Sequence, residues 1–245
     1  MAKNTSTAAP EGVGEPGGGL HGRRVSRNLR LEAAVNAAFA LAEREGLAGL
    51  TMRRLAQEID VDVTALYRLF RDKDELVLAL CERTIEMELD EIGDLAPTES
   101  WQDVLRRVAE VTWRVQTRFP AITELTFART TGGPAERQMV ELLLGCFARA
   151  GLDPTRAVLL YRTFIDTALG LCAGTAALHS LQPEVRTKDH TTWTRVYSHL
   201  SEAKFPVTRA HTDALSAVDD KAIYDTAVEA VLSTAESWAS RSRGV

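Results

Sequence analysis

The stretch from Thr51 to Leu80, TMRRLAQEIDVDVTALYRLFRDKDELVLAL, admits few conformations. Its apolar residues recur at helical spacing with two interruptions. That pattern predicts a short helix, a tight turn, a second short helix and the start of a longer third. The second helix is expected from about Val63 to Arg71. At 3.6 residues per turn, Val63, Leu66 and Phe70 fall on one side, with Leu69 at its edge. Thr64, Tyr67, Arg68 and Arg71 fall on the other. The first side can pack on neighbouring helices. The second presents a hydroxyl, a phenol and two guanidinium groups outward, which suits insertion into a DNA major groove.

The flanks supply starts and stops. Leu31, Ala34, Val35, Ala38, Phe39 and Ala42 form one apolar stripe, predicting a helix from Asn28 to Gly46, where Gly can end it in a left-handed turn. Thr51 is a good N-cap for a helix from Met52 to Ile59. Asp60 occupies the turn, and Asp is among the few non-glycine residues that tolerate positive φ. Asp62 can cap the second helix. Asp72 with Glu75 three residues on forms a capping pattern for a helix from Lys73 to Ile92. Ahead of all this, residues 1–22 are rich in Gly, Pro, Ala and Thr and are expected to be disordered. The adjoining Arg23, Arg24, Arg27 and Arg30 make either a mobile basic arm with phosphate contacts or a solvated tail.

This combination resembles the tetracycline-repressor (TetR) family of transcriptional regulators. The resemblance lies in LTMRRLA, then V-D-V-T-A-L-Y-R-L-F, then K-D-E-L, and covers residues 28–80. Two departures stand out. Asp60 replaces the usual turn glycine, and Leu69 stands where the family often has His. The resemblance implies that Thr51 caps the first helix of the motif and that Arg53 reaches a base or phosphate. It implies that Thr64 and Ala65 approach base edges, that Tyr67 and Lys73 hold phosphates, and that Arg68 contacts a guanine or a phosphate.

Beyond Ile92 only helical patterns recur, so the expected class is all-α. A three-helix helix-turn-helix domain (23–75) would precede a larger helical domain (76–245). Helices are expected at Trp101–Phe119, from Pro120, at Pro134–Ala150, from Pro154 to about Leu181, and from Asp219 to about Ser240. In the last, Ile223, Ala227, Ala230, Val231, Thr234 and Trp238 share one side. Residues 182–218 are less regular. The two long C-terminal helices are rich in small residues, and in the TetR family their counterparts form a four-helix dimer interface. A homodimer also follows from geometry, because two helix-turn-helix units on a two-fold axis read a palindrome.

Charge and cysteines bound the setting. The formal net charge is −5, yet residues 21–73 carry +3. A mildly basic head on an acidic body fits local attraction to phosphate. The three cysteines, Cys81, Cys146 and Cys172, sit in apolar helical contexts. They read as buried reduced thiols, which implies a cytoplasmic protein. No uninterrupted apolar run approaches the ~18 residues of a membrane span.

Catalytic patterns such as G-x-S-x-G, H-E-x-x-H or C-x-x-C do not occur, so no enzyme is expected. The spacings of His179, His190, His199 and His211 do not fix one helical face, and no Cys is near enough to add a ligand, so neither a metal nor a cofactor is expected. Family resemblance instead implies a small-molecule effector site enclosed by the C-terminal helices. Its candidate lining is Trp113, Phe127, Tyr161, Phe164, Asp166 and Trp193, residue types that also suit an ordinary core. The resulting expectation is a repressor released from a palindromic operator by a small molecule. The alternative is a DNA-binding architectural or regulatory protein without an effector.

Overall fold

The structure, a computed structural model, describes the backbone of residues 18–243. Residues 1–17, most of the tail expected to be disordered, lie outside it. So do the side chains of Arg23, Arg24 and Arg27, on which the arm contacts would rest.

The described residues form twelve α-helices and one 3-10 turn, with no strand among them. Helix α1 spans Gly18–Gly49 and starts ten residues before the expected Asn28. Gly46, at φ 70°, breaks it where expected. Helix α2 is Met52–Glu58, and the Thr51 side chain accepts from the Arg54 amide at 3.1 Å. Asp60 turns the chain at φ 53°, the only non-glycine residue with positive φ among those described.

Helix α3 is shorter than expected. It covers Val63–Tyr67, with Asp62 accepting from the Thr64 amide at 2.8 Å. Arg68 and Leu69 close it through i to i−3 bonds onto Ala65 and Leu66, so the last turn tightens. Phe70 then plunges into the core, 1% exposed, and the chain must turn there to reach Asp72. Asp72 caps α4, Lys73–Ile92, by accepting from the Glu75 amide.

The second unit comprises α5 (Trp101–Arg118), α6 (Pro120–Thr126), α7 (Pro134–Arg149), α8 (Pro154–Ser180) and α12 (Asp220–Arg243). Ser100 and Asp153 cap α5 and α8. Residues 182–218 fold into α9 (Pro183–Arg195), a 3-10 turn, α10 (Pro206–Ala210) and α11 (Thr212–Ala217). They contribute one buried side chain, Thr212, to the interior. On α12 the inward stripe is Tyr224, Val228, Val231, Leu232, Ala235 and Ala239. The expected stripe shared only Val231 with it; Ile223 and Ala230 face outward. Tyr224 decides the rotation. Its ring fills space beside Trp113, at 4.9 Å between centroids, and its hydroxyl donates to the Ala109 carbonyl at 2.8 Å.

Two cores result. One joins α1 to α4, from Ala34 through Leu55, Leu66 and Phe70 to Leu80. The other joins α5, α7, α8 and α12 around Val108, Leu143, Phe147 and Phe164. Helix α6 belongs to both units. Ile122 is buried in the first core, and Phe119 just ahead of it touches both. Helix α8 is long and apolar enough to cross a membrane by composition alone (mean hydropathy 1.3 over its best window), although charged residues interrupt the run. One of its faces is core, and Val158, Leu159, Leu178 and, just past its end, Leu181 are exposed.

The turn at Asp60 holds a side chain in the left-handed region, which favours Gly and tolerates Asp far better than Ala. Asp60→Ala should lower stability by about 1 kcal/mol, while Asp60→Gly should stay within about 0.5 kcal/mol of the parent. Urea unfolding of the three proteins measures both.

Candidate DNA interface and effector cavity

At the head, the caps just described point one surface outward. Arg53, Thr64, Tyr67, Arg68 and Lys73 are exposed, and Ala65 is half-buried between them and the core. Tyr67 is 51% exposed, although an aromatic ring beside Leu66 could have been core. The neighbouring arginines divide their labour. Arg54 is tied to Glu45 at 2.6 Å and to Glu58 at 2.9 Å, and Arg44 also meets Glu58 at 2.9 Å. Arg53 and Arg68 have no ion-pair partner among the described residues. Their guanidinium groups remain available for phosphate or base edges.

Helix α6 links this head to the second unit. The Glu43 carboxylate on α1 accepts from the Ile122 amide at 3.2 Å, across the unit boundary. Burial pushes its pKa up, while backbone N–H groups of Ile122 and Ala121 draw it back. Phe39 on α1 meets Phe119 edge to face at 4.8 Å. Just past α6, Arg129 forms an ion pair with Asp74 in the first turn of α4 at 2.8 Å. Glu82, further along α4, accepts from the Thr131 hydroxyl and from the Ala135 amide that opens α7. The chain passes Glu82 so closely at Gly133 that a Cβ there would lie 2.3 Å from the Glu82 Cδ.

A cavity of about 320 Å³ lies between α4, α6, α7 and α8, within the size range of small-molecule sites. Ile85, Met139, Val140, Leu143, Ile165 and Leu169 supply apolar wall, and Glu88, Gln116, Arg129, Glu136, Arg162 and Asp166 supply polar groups. Of the expected lining, Phe127, Tyr161 and Asp166 face it. Asp166 is paired with Arg162 at 2.9 Å, one turn away. The other three residues are corrections. Trp113 points to Tyr224 on the far side of α5. Phe164 is 1% exposed and packs edge to face on Phe147. Trp193 meets Tyr197 at a tilt in the excursion of residues 182–218, at 4.6 Å between centroids.

Residue-type reasoning missed Glu88. It is 3% exposed and lines the cavity. Gln116 Nε2 donates to one carboxylate oxygen at 2.8 Å, and Thr112 Oγ1 approaches the other at 3.4 Å. Desolvation lifts its pKa to about 7 against these two hydrogen bonds. The titratable groups within electrostatic reach are Cys81 and Glu91 on α4, Cys172 on α8 and Tyr224 on α12. None carries positive charge. A signal for Glu88 was present: it lies four residues after Thr84 and four before Ile92, both buried, so an acid interrupts the inward stripe of α4. The cysteines are buried and free, and burial raises the Cys81 and Cys172 thiols to about 12. His199 and His211 turn Nδ1 to backbone carbonyls of Arg195 and Val207.

A capped helix-turn-helix head, coupled by one short helix to a body with a cavity among its helices, defines a class of DNA-binding regulator. Comparison with known proteins gives the family. The profile of bacterial regulatory proteins of the tetR family matches residues 34–80, and that of the tetracyclin repressor-like C-terminal domain matches residues 95–235. The chain belongs to the TetR family. It is 33% identical over 138 residues to the HTH-type transcriptional repressor DrrR1 of Streptomyces coeruleorubidus, covering 54% of this chain and 50% of that protein. It is 30% identical over 146 residues to the tetracycline repressor protein class E of Escherichia coli, covering 58% and 66%. The matches thus span only half to about two thirds of these relatives. Its fold is like that of Streptomyces coelicolor ActR, solved in complex with actinorhodin, with a TM-score of 0.75 at 17% identity over 85% of this chain and 97% of ActR.

The raised Glu88 carboxyl has a consequence for stability. Below pH 4.5 both folded and unfolded chains hold the proton. Between 4.5 and about 7 the unfolded chain releases it first, so stability falls as pH rises through that window. Glu88→Gln should match the parent below pH 4.5 and exceed it at pH 8 by about 3 kcal/mol. Thermal melts across the range test the sign.

Proposed function

We propose that this chain is a dimeric repressor that leaves a palindromic operator when a small molecule enters the cavity. The observation that carries the reading is the placement of Arg129. It stands on the cavity wall and also holds Asp74, one residue from Lys73, on the helix that continues the DNA-reading motif. A ligand that draws on Arg129, or shifts the segment around it, changes what anchors the start of α4. Operator DNA and ligand then favour different arrangements of one helix, and by linkage each weakens the other.

The dimer face we assign to α8 and α12. Val158, Leu159, Leu178 and Ile223 are exposed on them, beside the small residues Gly174, Ala177 and Ala230. Such a surface lets a second copy approach closely. The reading without an effector leaves the cavity unused, along with the polar groups gathered in it. That DrrR1 is a transcriptional repressor and that ActR holds actinorhodin support the proposal by kinship.

Electrophoretic mobility shift with DNA from upstream of its own or a neighbouring gene tests the reading. Failure to find sequence-specific binding at moderate salt ends it. In the same assay Arg68→Ala should weaken the specific site by about 1–3 kcal/mol and random DNA by less. Equal weakening on both would make Arg68 a phosphate contact.

A further inference from the structure

The charges around the cavity are not evenly matched. Its two arginines already have partners: Arg129 holds Asp74 and Arg162 holds Asp166. Glu136 accepts from the Thr131 hydroxyl and from the Gly132 amide. Glu88 has no cation within ion-pair distance among the described residues. Its two partners, Gln116 and Thr112, are neutral. Gln116 Oε1 takes the Thr123 hydroxyl at 2.8 Å, which turns its Nε2 toward Glu88. Two donors therefore serve a carboxylate that water hardly reaches. Burying an acid with neutral partners alone is unfavourable, and a hydrophobic residue at this position of α4 would avoid it.

We infer that the cavity selects a hydrophobic cation, a lipophilic amine that sets its ammonium on Glu88 and its apolar body against Met139, Leu143 and Ile165. This rests on the effector reading above and narrows it. An ammonium supplies the charge that Gln116 and Thr112 cannot, and its hydrogen bonds to a carboxylate are of the stronger, charge-assisted kind. The rest of the wall is mostly apolar, so a bare inorganic cation or a small polar amine would leave most of it uncovered. Glu88 lies on α4, so the charge is neutralised on the same helix that carries Asp74 and Lys73 at its start. The body of the ligand would meanwhile press on α7 and α8.

A matched pair of fluorescent probes tests this on the full-length chain. At pH 8, 9-anthracenemethylamine carries a positive charge, and 9-anthracenemethanol has nearly the same shape without it. The amine is expected to bind at least tenfold more tightly. Glu88→Gln should reduce the amine to the affinity of the alcohol and leave the alcohol unchanged. Glu88→Asp, which keeps the charge, should retain a preference for the amine. Equal binding of the two probes to the parent chain, or an amine preference that survives in Glu88→Gln, overturns the inference while the cavity remains a ligand site. Binding of neither probe overturns it together with the effector reading. The comparison on the parent chain decides the matter even if a variant fails to fold.

Discussion

Helix α6 is the piece on which the two units depend. It is short, Pro120–Thr126, and an isolated helix of that length is unstable in water. What holds it is its position between two cores. Ile122 is completely buried among residues of the DNA-reading head. Thr123 and Thr126, also buried, hydrogen-bond to neighbouring backbone and face the other unit. Phe119 caps the junction against Phe39, and Glu43 feeds a carboxylate to the start of the helix. No part of this junction can move without disturbing packing in both units, because close-packed interiors shift between discrete arrangements rather than deform smoothly.

The polar groups near the junction follow a second logic. Arg54, Arg44, Glu45 and Glu58 neutralise one another on the flank of the head, and exposed pairs of this kind add little stability. Their effect is to tie Arg54 down within the head, whereas Arg53 has no ion-pair partner among the described residues. Arg129 and Glu82 brace the segment between α6 and α7 against α4, and Glu136 braces it against α7. The cavity is therefore bounded on one side by a loop whose anchors are electrostatic. Such anchors respond to a charged ligand more readily than apolar packing does.

Much of the head was legible in the sequence because its signals are local. Caps at Thr51, Asp62 and Asp72 act over three residues, the turn at Asp60 depends on its own φ, and the inward stripe of α1 to α4 follows helical periodicity. The length of α3 was not legible, because its end is set by Phe70 entering a core that other helices build. The cavity lining was only half legible. Trp113, Phe164 and Trp193 are aromatics of the right type whose helices happen to turn them elsewhere. Glu88 is not legible from residue type, because a carboxylate is ordinarily a surface group, although it breaks the buried stripe of α4.

What the sequence alone determined is the all-α architecture, the helix boundaries near their caps, and a polar outward face on the DNA-reading helix. These depend on residues within a turn or two of one another. The tertiary structure decided the rest. It turned α12 about Tyr224, placed Ile122 in the core of another unit, paired Arg129 with Asp74, and left Glu88 facing the cavity with no cation in ion-pair reach among the described residues. Each of these joins residues tens of positions apart, and which face of a helix meets which neighbour is settled only when all the side chains must fill one volume together.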